Sequence, residues 1–250
     1  PLGAYVFPEE RVDLITGVEE ENTDIETALF NAIRRHLTSG NFKMPNIAIK
    51  TISDMIDNNQ YPQIFKKYTS GKAYRGLLLT YDNFERLFGI PVPGQTSFFD
   101  DPIGYASGRI ATLDRQDRLT SPEYFDVSFV YDPRTDSRYQ EGAGIYGSSG
   151  RSYMRQSSTS LASSWSKDFD DALTLPEATA NARNLTPQEK SRHIITVLQA
   201  DANSGYFIDM APWADKFRYI QQGTFLTPIE NELIGRDKIP VEKIYIYPLD

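Results

Sequence analysis

Two glutamates and one arginine have the residue types and the spacing to do chemistry together. Glu230 and Glu232 are separated by one residue. In a strand such residues project from the same face, so both carboxylates point into one space. Paired carboxylates suit acid–base chemistry or the stabilisation of a cation. Arg75 lies in an otherwise apolar run, where a guanidinium must meet a carboxylate, a phosphate or another acceptor. That acceptor is either a bound ligand or an ion-pair partner within the fold.

A third group of polar side chains is Ser158-Thr159-Ser160. Hydroxyl groups both donate and accept hydrogen bonds, so they can cap a helix and also orient a neighbouring carboxylate. The pattern after them predicts a helix that carries Leu161, Trp165 and Phe169. Serine is frequent throughout this stretch, and the alternative interpretation is a loop of simple composition.

A glycine-rich stretch at residues 142–147 matches the dinucleotide-binding pattern G-x-G-x-x-G by letter. That pattern binds a pyrophosphate only where a strand precedes it and an apolar helix follows. Polar residues flank this stretch on both sides, and we expect a loop here. The sequence also contains no phosphate-binding G-x-x-x-x-G-K-[ST] motif and no G-x-S-x-G nucleophile elbow.

The elements that must position these side chains follow from the apolar pattern. A capping box at Thr23–Glu26 predicts a helix to about Leu37, and two further helices are expected around Ile52–Ile56 and Ile64–Phe65. Residues 170–192 predict a helical excursion. Strands are predicted at Ala73–Leu79, Phe125–Tyr131, Ile194–Leu198, Tyr206–Ile208, Phe225–Ile229 and Val241–Tyr247.

Helices followed by strands without regular alternation indicate the α+β class. We expect one domain over residues 1–250, in which residues 1–70 form a helical N-terminal layer and residues 71–250 form a β-rich core. No linker rich in proline or serine separates two domains.

The order of the three motifs resembles that of the R-S-E class of mono-ADP-ribosyltransferases. Arg75 comes first, Ser158-Thr159-Ser160 next and Glu230-x-Glu232 near the end, so the resemblance covers roughly residues 72–247. It implies a fold of two packed, mostly antiparallel sheets, with a helical N-terminal layer that shapes an NAD cleft. It also implies that Glu232–Ile234 and Val241–Tyr247 form a closing hairpin.

The resemblance further implies a catalytic group for cleavage of the nicotinamide–ribose bond of NAD, which is the substrate. Glu232 would bind the ribose 2′-hydroxyl and stabilise an oxocarbenium-like transition state, with Ser158 orienting it. Glu230 would align an acceptor arginine and draw off its proton. These enzymes include arginine-modifying toxin subunits and phage transferases, and E-x-E members typically modify arginine.

The remaining implied roles concern binding. Arg75 would hold the NAD phosphates, Gly76 would let the backbone approach the nicotinamide amide, and Thr159 and Ser160 would complete the NAD site. Phe169 would pack against nicotinamide, with Trp165 as its rival, and either aromatic could instead belong to the core. Phe225 would contact the acceptor protein. The second arginine common in the family is replaced by Asp170-Asp171-Ala172.

The expected activity is therefore transfer of ADP-ribose from NAD to an accessible arginine of a target protein. The alternatives are an NAD glycohydrolase that uses the same site and a non-catalytic binding module. A toxin, effector or phage enzyme would act in the cytoplasm of a target or host cell. The N-terminal helices could dock a translocation or binding partner. The sequence itself does not fix the compartment.

Composition excludes several other classes of protein. The chain of 250 residues has no cysteine and two histidines, so no sulfur-based zinc site or thiolate nucleophile exists and no metal site is expected. A net charge of −8 disfavours a nucleic-acid substrate. No apolar run approaches the roughly 18 residues that a membrane-spanning helix needs.

Overall fold

The computed structural model describes residues 46–95, 97, 121–134, 161–213 and 231–249. Within these ranges it contains four helices and eight strands. The helices are α1 (Asn46–Asp57), α2 (Tyr81–Phe88), α3 (Phe169–Ala182) and α4 (Pro187–Lys190), with a 3₁₀ turn at Ala211–Trp213. The strands are β1 (Lys66–Tyr68), β2 (Lys72–Thr80), β3 (Glu123–Tyr131), β4 (Ala162–Ser166), β5 (His193–Asp201), β6 (Tyr206–Asp209), β7 (Glu232–Arg236) and β8 (Ile239–Pro248).

The eight strands form one antiparallel sheet in the order β1-β6-β7-β4-β2-β5-β8-β3. The sheet has two halves, which meet where β4 lies beside β2. There the ladder is a single residue pair, Tyr74 opposite Ser166, whereas β2 pairs with β5 over nine positions. The two packed sheets expected from the sequence are therefore one continuous sheet with a narrow junction.

The sheet curls strongly enough for strands that are far apart in its order to touch. Strands β2, β5 and β8 separate β3 from β4, yet the ring of Tyr131 on β3 lies 5.6 Å from that of Trp165 on β4. Trp165 also contacts Phe207 on β6 at 5.5 Å. The inner face of the curl encloses the largest group of buried apolar side chains, which includes Ala73, Leu77, Leu79, Leu198, Ile244 and Ile246.

Two helices cover the outer face of the sheet, one on each half. Helix α1 buries Ile49 and Ile52 against the half that contains β4, β6 and β7, and α3 packs on the half that contains β2, β5 and β8. Helix α3 begins where it does because Asp168 caps it, accepting hydrogen bonds from the backbone N–H groups of Asp170 and Asp171. The outer face thus carries one helix on each side of the junction between β4 and β2.

Most of the predicted elements within the described residues are confirmed. The α+β class holds, as do the helix now called α1, the strands β2, β3, β5, β6 and β8, and the helical excursion after residue 169. No helix in the described residues is long and apolar enough to cross a membrane.

Three local predictions are wrong. Ile64 and Phe65 lie in a single turn, in which both N–H groups bond to the carbonyl of Tyr61. The helix predicted to carry Leu161 and Trp165 is instead strand β4, and the helix begins only at Phe169. Strands β7 and β8 are joined by Asp237 and Lys238 alone, but they lie in different halves of the sheet and form no hairpin.

Several predictions fall outside the described residues. These are the helix at residues 23–37, the strand at residues 225–229, the glycine-rich stretch and most of the N-terminal layer. They stay predictions.

Replacement of Gly76 by alanine tests the contact between β2 and α3. A Cβ at this position would lie 1.8 Å from the carbonyl oxygen of Ala172 and 2.8 Å from the ring of Pro176. Since backbone must move to admit it, we expect Gly76→Ala to lower the free energy of unfolding by about 3 kcal/mol or more in urea. At Gly89 an added Cβ would meet open space, and the backbone is left-handed. Gly89→Ala should therefore lower the free energy of unfolding by about 1 kcal/mol, from the backbone conformation alone. Equal costs for the two variants would contradict the close packing.

The ion pair at the start of β2 predicts a pH-dependent contribution to stability. Lys72 Nζ lies 2.6 Å from Glu242 Oε1, and this hydrogen bond is the main reason why the pKa of Glu242 is below its ordinary value of 4.5. Because the folded-state pKa is the lower one, the contribution is complete above pH 4.5 and is lost as the pH falls through the folded-state value.

Lys72→Met should therefore lower the urea midpoint modestly at neutral pH and leave it unchanged at about pH 2. Lys50→Met removes a more exposed ion pair with Asp54 and serves as the matched control, with little change at either pH. A difference between wild type and Lys72→Met that persists undiminished in acid would show that the variant acts through packing.

Candidate functional site

Glu232 is the first residue of β7, and a serine on the neighbouring strand holds its carboxylate. The hydroxyl of Ser164 donates to Oε1 of Glu232 at 3.0 Å. In the antiparallel register Ser166 lies opposite Glu232 and Ser164 lies opposite Ile234, so Ser164 is the diagonal neighbour on the same face. The glutamate is half-buried. The fold thus presents one oriented carboxylate at the start of β7.

Arg75 approaches the same serine from the other half of the sheet. Its Nη1 donates to the backbone carbonyl of Ser164. The β2–β4 ladder consists of the pair of Tyr74 and Ser166. The guanidinium therefore donates to a carbonyl of β4 that would accept from a backbone N–H if the ladder were longer. The carbon centre of the guanidinium also lies 5.2 Å from the ring centre of Tyr131, a cation–π contact.

Ser164 therefore connects the candidate acid with the candidate cation. Its side chain bonds to Glu232, while its backbone carbonyl accepts from Arg75. Arg75 and Glu232 are 157 positions apart in the sequence, yet both form a hydrogen bond with the same residue of β4. Both hydrogen bonds lie at the junction between the halves of the sheet, where side-chain alternation directs Arg75 towards the inner face, as for Leu77, and Glu232 towards the outer face, as for Ile234.

The start of β7 is fixed to its surroundings by further hydrogen bonds. The side-chain amide of Asn231 donates to Oδ2 of Asp171 at 2.8 Å, and its carbonyl accepts from the N–H of Lys167 at 2.8 Å. The carbonyl of Glu232 accepts from the N–H of Met210 at 3.1 Å. Glu232 is thus attached on one side to the residue that follows β6. Through Asn231 it is attached to the connection between β4 and α3 and to the first turn of α3.

A charged pair lies beside this segment. Lys167 Nζ is 2.6 Å from Asp209 Oδ1 and 5.6 Å from the ring centre of Tyr68. Burial, followed by the nearby charge of Asp209, raises the pKa of Tyr68. The tyrosine therefore stays neutral at physiological pH, and the ion pair adds no net charge next to Glu232.

Gly76 and the two candidate aromatics occupy different surroundings. The Cα of Gly76 faces α3 so closely that helix packing alone accounts for the glycine. Trp165 is 2% exposed, and its Nε1 donates to Ser163 Oγ at 2.8 Å, so it belongs to the core. Phe169 is partly exposed and packs against Tyr74 at 5.4 Å and Tyr245 at 4.9 Å. Of the two aromatics, Phe169 alone has an exposed surface available for a ligand.

Five of the predicted site residues lie outside the described residues. They are Glu230, Ser158, Thr159, Ser160 and Phe225, and their roles stay predictions.

Sequence reasoning missed Ser164, Asn231 and Asp171. A signal for Ser164 was present, because Asp168 followed by Asp170 and Asp171 is typical of a helix start. Recognising that cap would have ended the preceding element at Ser166 and placed Ser164 in a strand before the helix. Asn231 and Asp171 gave no such signal, since their contact depends on how α3 meets β7.

The arrangement has clear chemical capabilities. A carboxylate held in place by a serine can accept a hydrogen bond from a sugar hydroxyl and stabilise positive charge that develops nearby. The planar fork of an arginine suits phosphates and carboxylates. Among the described residues, no group of three or more histidines or acids could hold a metal ion.

Comparison with known proteins does not add a family to this geometry. No protein-family model, no curated protein and no solved structure matches the chain.

Proposed function

We propose that this protein transfers ADP-ribose from NAD to arginine side chains of a target protein and releases nicotinamide. The observation that carries the proposal is the connection from Arg75 through Ser164 to Glu232. A cation and an acid of the predicted types each form a hydrogen bond with the same serine, the acid with its hydroxyl and the cation with its backbone carbonyl. The order of these residues along the chain supports the same assignment.

Glu232 would act on the bond between nicotinamide and ribose. As this C–N bond lengthens, positive charge develops on the ribose, and the leaving nicotinamide takes the electron pair. A carboxylate at the ribose 2′-hydroxyl stabilises that charge without forming a bond to it. Ser164 holds one carboxylate oxygen and thereby fixes the direction in which the other can act.

In this proposal Ser164 takes the orienting role that the sequence assigned to Ser158. The two serines are six positions apart, and Ser164 is the one whose hydroxyl bonds to Glu232 in the described residues. Arg75 would bind the NAD phosphates beside its bond to Ser164, and Phe169 would offer its exposed edge to nicotinamide. Thr159, Ser160 and Gly76 keep their proposed NAD-binding roles, and Phe225 its proposed contact with the acceptor.

The fold is compatible with an ADP-ribosyltransferase core. Such a core needs two sheet surfaces that diverge around an NAD cleft, and here the halves of the sheet meet at one residue pair and Arg75 lies at that point. Helix α1 on the outer face would belong to the helical layer that shapes the cleft. Residues 1–70 would also present a surface to a translocation or binding partner.

Arginine is the proposed acceptor because of Glu230. An arginine side chain stays protonated and attacks poorly, so a second carboxylate must align it and accept a proton as the new bond forms. The target would be a protein with an accessible arginine in a host or target cell, as for a toxin, an effector or a phage enzyme. If water replaces the arginine, the same site acts as an NAD glycohydrolase.

The first test is the consumption of NAD by the purified chain with agmatine as a model acceptor. Wild type should release nicotinamide and form ADP-ribosyl-agmatine, and Glu232→Ala should lower both by at least about 100-fold because charge stabilisation is lost. Glu177→Ala removes an exposed glutamate on α3 and should change neither rate. Chromatography of nicotinamide and mass spectrometry of agmatine provide the two measurements.

Each other outcome of this experiment points to a different function. Release of nicotinamide without labelled agmatine would identify a glycohydrolase. Absence of any release would indicate a binding module and contradict the proposal.

Replacement of each candidate serine by alanine tests which hydroxyl orients the carboxylate of Glu232. Since a hydrogen bond to a charged group is lost, Ser164→Ala should lower the rate of nicotinamide release by about 10-fold or more, whereas Ser158→Ala should change it by less than about 2-fold. Thermal unfolding of both variants checks that they fold. The reverse result would return the orienting role to Ser158.

A further inference from the structure

Asn231 stands directly before Glu232, and its backbone carbonyl bonds to the connection between β4 and α3 while its side-chain amide bonds to the first turn of α3. The carbonyl accepts from the N–H of Lys167, and Nδ2 donates to Oδ2 of Asp171, each at 2.8 Å. The residue between the two glutamates of E-x-E is thus attached at two points. These bonds set where β7 begins, and therefore where the Cα of Glu232 lies.

Asp171 is a well-fixed acceptor for this amide. It lies in the first turn of α3, and its N–H bonds to the capping carboxylate of Asp168 at 3.2 Å. Its Oδ2 also faces the hydroxyl of Ser166 at 3.5 Å, and that hydroxyl accepts from the N–H of Asp168 at 3.0 Å. Ser166 is in turn the register partner of Glu232. The contacts form a closed ring around the start of β7.

We infer that Asn231 and Asp171 are positioning residues for Glu232, and that their hydrogen bond couples helix α3 to the catalytic carboxylate. The inference rests on the proposed function and adds to it a part of the molecule that touches no substrate. A displacement of about 1 Å at a reacting group can lower a rate by about 100-fold. The bond between Asn231 and Asp171 prevents such a displacement.

The inference can be tested by exchanging the amide and the carboxylate between positions 231 and 171. Asn231 is the donor and Asp171 the acceptor. Asn231→Asp places two carboxylates against each other, which repel at neutral pH. Adding Asp171→Asn to that variant restores one amide and one carboxylate with the direction of the hydrogen bond reversed. If the two side chains only filled space, adding Asp171→Asn would not restore the activity lost in Asn231→Asp.

The experiment measures kcat and KM for NAD in the full chain with agmatine as the acceptor. Asn231→Asp should lower kcat by about 10- to 100-fold, with KM for NAD within about 2-fold of wild type, and the exchanged double variant should recover most of the loss. Asn231→Ala is the second variant if Asn231→Asp fails to fold. Asn184→Asp makes the same chemical change at an exposed site beyond the end of α3 and should leave kcat unchanged.

A second readout does not depend on catalysis. The NMR signal of the Glu232 carboxyl carbon, assigned by its absence in Glu232→Gln, should move in Asn231→Asp and return in the double variant. If wild type releases nicotinamide but the single variants keep its kcat, the positioning role is overturned and the proposed function stands. If wild type releases none, the proposed function fails, and an unmoved Glu232 signal would then overturn the coupling as well.

Discussion

The two hydrogen bonds of Ser164 are the contacts on which the rest of the candidate site depends. One joins a side chain on β4 to the acid of β7, and the other joins the backbone of β4 to the arginine of β2. Among the described residues, the ladder between these halves is a single backbone pair. An arginine that completes the ladder is therefore part of the architecture as well as a candidate ligand for phosphates. The guanidinium of Arg75 thus has a structural role, its bond to Ser164, as well as its proposed role in phosphate binding.

Long apolar runs allowed much of the fold to be predicted. Residues 73–79 and 194–198 are strands with helices on one face and the curled interior on the other, and their continuous hydrophobicity identified them. Strand β4 is as buried but carries three serines. Its hydroxyls find partners inside the fold, such as Glu232 for Ser164, so its polar composition concealed the strand and the sequence predicted a helix here.

The site was predictable in its residue types but not in its connections. An arginine in an apolar strand must have an acceptor, and that expectation holds, yet the acceptor includes a backbone carbonyl of another strand. No local pattern encodes which strands become neighbours in a sheet. The same limit explains the hairpin that β7 and β8 do not form, since their proximity in sequence conceals that each joins a different half.

The short link between β7 and β8 restricts how the halves of the sheet can move. Asp237 and Lys238 alone connect them, and two residues span only about 7 Å when fully extended. Sliding of one half along the other would soon stretch this link. Two other links between the halves are also short, with three residues from β1 to β2 and four residues from β5 to β6, so rotation of one half against the other is restricted as well. The covalent path of the chain thus holds the two halves in register at the place where Ser164 connects the candidate acid and cation.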